Sequence, residues 1–151
     1  MTGSVLPHLL ELVLDSLITV NAFPIEECRE VAHKSRRIGL GFMGYHYMLI
    51  KLGIKYGSDK CLEFTDRLMS TFRDEAYKTS IYISRDKGPF EEFNASKYLK
   101  EEYAKTLPAR IRMLIREHGI RNAVMLTVAP TGTISMVHGV SSGVEPIFSA
   151  M

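Results

Sequence analysis

The sequence predicts an α/β domain in which helices alternate with short parallel-type strands near residues 36–42 and 123–128. Three observations point there. AVMLTV (123–128) is almost continuously apolar and short, the character of a strand covered on both faces. RRIGLGF (36–42) alternates Ile38, Leu40 and Phe42 with glycines that let another backbone come close. Around these stretches, apolar residues recur at three- and four-residue spacing, the period of helices that bury one side. With 151 residues and neither repeat nor linker, residues 1–151 read as a single compact domain.

The elements follow in order. Leu6, Leu9, Leu10, Val13, Leu17 and Val20 share one face of a first helix ending near Asn21, read as buried along that face. Pro24 opens a second helix, with Glu26 and Glu27 where the helix dipole favours acids and Lys34, Arg36 and Arg37 at its far end. After the first strand, MGYHYMLIKLG predicts a helix closed by Gly53. Ser58 is an N-cap for the longest helix, which KGP (87–89) stops. Residues 90–107 read as loop with a short helical piece. Pro108 starts a helix that turns Ile111, Leu114 and Ile115 inward and ends at Gly119 before the second strand.

Composition narrows the function. A net charge of +2 with acids and bases interspersed provides no stripe for nucleic acid and no membrane surface. Cys28 and Cys61 lie far apart without metal-ligand spacing, so no metal site and no disulfide framework is expected. That usage, and a start without a basic targeting segment, fits a cytoplasmic protein.

The segment APTGTIS (129–135) carries the chemistry. A loop at the end of a buried strand that leads into a helix presents unpaired amides and the positive end of the helix dipole, which together suit an anion. Gly132 permits close approach, Pro130 fixes the entry, and Thr131, Thr133 and Ser135 add hydroxyls, so the stretch reads as a cradle for phosphate oxygens. The competing reading is that Thr131 or Thr133 is simply an N-cap. Gly39, Gly41 and Gly44 have G-x-G-x-x-G spacing, but no strand precedes them, so close packing is preferred to dinucleotide binding. His46 among Tyr45, Tyr47 and Met48 reads as structural. His138, one turn past the loop, and Glu145 in SSGVEPIF stay open between structural and functional roles.

RRIGLGFMGYHYMLIKLGIKYGS (36–58), APTGTIS (129–135) and GVSSGVEPIF (139–148), with VNAFPIEECREVAHKSRRIG (20–39) and RDKGPF (85–90), resemble the catalytic chain of ribonucleotide reductase. Among its forms, the resemblance is strongest to the adenosylcobalamin-dependent class. It implies a helix-rich segment of a ten-stranded α/β barrel that reduces ribonucleoside di- or triphosphates by radical chemistry. It also implies that Pro130, Thr131, Gly132, Thr133, Ile134 and Ser135 hold the substrate phosphates. The family's Asn-x-Cys-x-Glu loop, source of the thiyl radical, is expected upstream of this segment. No catalytic residue is therefore assigned here, and neither Cys28 nor Cys61 matches the radical cysteine or the reducing pair. A complementary reductase segment or self-association would complete the barrel, and the chain alone is expected to be inactive. The alternative is a stand-alone phosphate-binding or interaction module without reductase activity.

Overall fold

A computed structural model describes residues 5–147, with side chains from His8 onward. The Leu6 side chain, counted in the apolar stripe, and Phe148, the end of the last motif, lie outside that description. Among the described residues there are eight helices and no strand: α1 (Val5–Val20), α2 (Glu26–Ser35), α3 (Tyr45–Lys51), α4 (Asp59–Lys87), α5 (Ala95–Tyr98), α6 (Glu102–Lys105), α7 (Ala109–His118) and α8 (Gly132–Val137). None is long and apolar enough to cross a membrane.

The expected α/β fold with strands at 36–42 and 123–128 is thereby corrected. Both stretches run close together, but only an isolated parallel bridge, Leu40 with Leu126, joins them. The Ile38 amide donates to the Val124 carbonyl at 2.9 Å and the Leu40 amide to that of Met125 at 2.8 Å. Two residues of progress on one segment thus meet one on the other, so the register slips and no ladder propagates. Nor is the second stretch covered on both faces: Met125 is buried, while Val124 and Val128 are exposed.

The helix boundaries follow local chemistry. The Ser58 hydroxyl accepts from the Cys61 amide at 3.2 Å and caps α4. Gly88 and Gly119 take positive φ where α4 and α7 end. Arg36 closes α2 in the left-handed region, at φ 47°.

Two compact units divide the chain, one made of the chain up to Leu40 with Phe72–Leu126, the other of Gly41–Thr71 with the chain from Thr127 onward. The first has a core of Ile38, Ala76, Tyr77, Ile81, Phe90, Leu107, Ile111, Ile115, Ile120 and Met125. In this unit α1 is turned over relative to the expectation from its apolar stripe. Leu9, Leu10, Val13, Leu17 and Val20 are exposed, and the helix buries Glu11 and Asp15, with Leu14 and Ile18 packed on the core. Polar geometry accounts for the choice. Arg36 donates from Nε to Asp15 Oδ1 at 2.7 Å and from Nη2 to the Asp15 carbonyl at 2.7 Å. Asn122 donates to the same carboxylate at 3.1 Å and accepts from Ser80, while Arg121 adds a longer contact of 3.3 Å. Burial alone would raise the Asp15 pKa, but the Arg36 hydrogen bond and the charges of Arg121 and Arg36 hold it below the usual carboxylate range.

The second unit packs Tyr45, Leu49, Ile54 and Cys61 against Phe42, Met48, Phe64, Leu68 and Val144. Gly41 lies against the Thr127 carbonyl, where an added Cβ would come within 2.7 Å of the oxygen. Of the three glycines at 39, 41 and 44, Gly41 shows this close approach, and it is to the backbone at Thr127 rather than between a strand and a helix.

Candidate functional site

The APTGTIS loop lies in the second unit and leads into α8. Thr131 occupies the N-cap position with φ 54° and ψ 26°, left-handed values that a β-branched residue rarely adopts. Its hydroxyl makes no capping bond to its own helix. Instead, it accepts from the Gly143 amide at 2.7 Å. The simple N-cap reading of Thr131 therefore lacks its defining hydrogen bond, and the residue ties the loop to the segment 139–147.

The first hydrogen bond of the α8 turn runs from the Ser135 amide to the Thr131 carbonyl at 2.9 Å. The amides ahead of it, those of Gly132, Thr133 and Ile134, have no acceptor among the described residues. Gly132, Thr133 and Ile134 are exposed, as is Pro130. A Cβ built at Gly132 would meet nothing within 4 Å, so the protein itself does not require glycine there. Ser135 departs from the expected donor role. It is buried, and its hydroxyl lies 2.9 Å from the Gly132 carbonyl, to which it donates, and 2.8 Å from the Ser142 hydroxyl. Among the described residues, Thr133 is thus the hydroxyl of the loop left uncommitted.

Individual residues of segment 139–147 give no role from sequence, apart from the open question of Glu145. Gly143 has φ 43°, and an added Cβ there would approach the Ala129 carbonyl oxygen to 2.7 Å. The Ser141 hydroxyl accepts from the amides of His46 and Tyr47 at 3.1 and 3.4 Å, and the Gly44 amide donates to the Ser141 carbonyl at 2.7 Å. Tyr56 donates its hydroxyl to the Val144 carbonyl at 3.1 Å. The Ile147 amide donates to His46 Nδ1 at 2.8 Å. The run of small residues in SSG was the available signal, because such residues permit close backbone approach; the partner side chains lie too far away in sequence for any spacing rule to find them. His138 and Glu145 are exposed.

Neither cysteine has the setting of an exposed reactive thiol built into this loop. Cys28 is exposed on α2. Cys61 is buried, with its sulfur 3.3 Å from the Tyr45 hydroxyl, and that hydrogen bond draws the thiol pKa down while burial pushes the phenol up. No group of three or more His, Cys, Asp or Glu among the described residues could hold a metal ion.

A helical scaffold carries a glycine-containing loop with three amides that lack an acceptor among the described residues. Comparison with known proteins makes this more specific. Residues 7–151 match the family model described as ribonucleotide reductase, barrel domain, and the chain belongs to that family. It is 40% identical over 136 residues to the vitamin B12-dependent ribonucleoside-diphosphate reductase of Thermoplasma acidophilum, covering 90% of this chain and 16% of that protein. The protein of the same name from Mycobacterium tuberculosis is 35% identical over 136 residues, covering 90% and 17%. The ribonucleoside-diphosphate reductase subunit alpha of Treponema pallidum is 34% identical over 140 residues, covering 89% and 17%. The chain thus spans about a sixth of the length of these relatives.

Proposed function

We propose that this chain is part of a ribonucleotide reductase, an enzyme that converts ribonucleotides to deoxyribonucleotides by radical chemistry, and that it supplies the seat for the substrate phosphates. The observation that carries the reading is the row of open amides at Gly132, Thr133 and Ile134, at the positive end of a helix and beside a glycine with unfilled space. Pro130 and Thr131 shape the entry, Thr133 adds a hydroxyl, and Ser135 locks the turn from beneath. Ribonucleoside diphosphates are the favoured substrates, since the relatives' names specify them. A complementary part of the reductase, or a second copy, is the expected protein partner.

Adenosylcobalamin is the cofactor inferred for the complete enzyme, where it would supply the radical. The open amides and hydroxyl of 130–135 suit compact phosphate oxygens and do not offer the broad apolar surface that a corrin needs. No residue of this chain is assigned to hold it.

Titration of the chain with inorganic phosphate and a ribonucleoside diphosphate, followed by amide chemical shifts, tests the seat. Binding should move the Gly132, Thr133 and Ile134 signals. Gly132→Val should abolish binding without unfolding, because its side chain fills only the space an anion would need. Equal affinity in wild type and Gly132→Val would remove the reading.

A further inference from the structure

We propose that His46 is a positioning residue for the 129–135 loop, acting as a neutral hydrogen-bond acceptor that holds segment 139–147 against it. The inference rests on the phosphate-seat reading for its consequence in binding, but the contacts themselves stand independently. On one side of the segment, the Ile147 amide donates to His46 Nδ1 at 2.8 Å, and the imidazole meets the Tyr56 ring edge-on at 5.2 Å. On the other side, the Gly143 amide donates to the Thr131 hydroxyl at 2.7 Å, and the Ser142 and Ser135 hydroxyls lie 2.8 Å apart. The segment is therefore a clamp with His46 at one end and the loop at the other.

The clamp has something to hold. Thr131 stands at φ 54°, a conformation costly for threonine that persists only where its surroundings enforce it. Among the described residues the Gly143 bond is the one side-chain tie that Thr131 has, and Gly143 reaches it because no Cβ separates that residue from the Ala129 carbonyl. If the clamp loosens, Thr131 relaxes and the backbone that follows it shifts with it.

The role of Nδ1 as acceptor puts the imidazole proton on Nε2. A ring nitrogen that accepts here is what the Ile147 amide needs; a side chain without an acceptor at that point leaves the amide unpaired and releases the clamp.

The test uses the whole chain and three forms of residue 46. His46→Asn keeps an acceptor close to the position of Nδ1, and His46→Phe keeps a ring without an acceptor. Amide exchange at Ile147 and Gly143 and affinity for inorganic phosphate are followed in each form at one pH. Wild type and the Asn form should protect both amides, and the Phe form should lack that protection while the Ile115 amide stays protected. Phosphate affinity should fall about two- to tenfold in the Phe form, the scale of one hydrogen bond, and be restored in the Asn form. Unchanged Gly143 exchange in the Phe form, or loss of Gly143 protection in the Asn form, would overturn the proposal. If the exchange pattern follows but no form binds phosphate, the seat falls and the clamp stands. If phosphate binds all three forms alike with Gly143 exchange unchanged, the seat stands and the clamp falls.

Discussion

A side chain at Gly143 would press its Cβ to 2.7 Å from the Ala129 carbonyl oxygen, on a backbone already at φ 43°. At Gly132, φ is not positive and the space is open. The two glycines of the same site should therefore respond in opposite ways to the same change. Gly143→Ala is expected to cost about 2 kcal/mol or more, from the left-handed backbone and the carbonyl clash together. Gly132→Ala should stay within about 0.5 kcal/mol of wild type, or gain slightly from reduced freedom of the unfolded chain. Urea denaturation of the two variants measures the difference directly. Glycine at 143 serves the fold, and glycine at 132 has open space beside it.

Helix α1 poses the same kind of contrast across an element. Its apolar residues face out and its acids face in, so the usual ranking of substitutions is reversed. Asp15→Ala should cost about 3–5 kcal/mol, because it leaves the Arg36 guanidinium buried without its partner. Leu17→Ala, at a half-exposed position, should cost less than about 1 kcal/mol; thermal melts of both variants check the order. The helix itself was legible from its period, as were the ends of α4 and α7 from Ser58, Gly88 and Gly119, because capping chemistry is local. The inward face was not legible. An apolar stripe shows that a helix has two sides but not which one meets its neighbour, and the residues that decided it, Arg36, Arg121 and Asn122, are remote in sequence. The strand prediction failed for a related reason: Ile38, Leu40 and Met125 show local preference, but a ladder depends on register, which only the paired backbones determine. The loop at 130–135 was legible because glycine, proline and hydroxyl residues carry their turn chemistry with them. Its ties to Gly143 and, through the clamp, to His46 were not.

Across the whole molecule, two buried acids pull stability in opposite directions with pH. Both Glu11 oxygens are buried without a hydrogen-bond partner among the described residues, and burial raises the carboxyl pKa from 4.5 to about 8. Between those values the folded state holds a proton that the unfolded state has released. The stability tied to neutral Glu11 is fully present below about pH 4.5 and is lost as pH climbs to about 8. Asp15 has the reverse sign: its lowered pKa gives stability that is present above the usual carboxylate range and lost in stronger acid. Glu11→Gln should therefore flatten the decline between pH 5 and pH 8 and stabilise the protein at the upper end by an amount on the order of a few kcal/mol. Denaturant titrations at both pH values would show it, and an unchanged slope would mean that Glu11 ionises freely.

The division of the chain also sets an order in time. Every residue of the first unit precedes Thr127, whereas the second unit needs both Gly41–Thr71 and the chain from Thr127 onward. As a chain leaves the ribosome, the first unit can therefore finish while α3 and the start of α4 still await their counterpart. The contact between His46 and Ile147 closes a span of 101 positions, the kind of distant pairing that forms slowly and late. The 129–135 loop is thus assembled last, after the first unit has folded, and a stalled or clipped chain would carry the first unit without that loop.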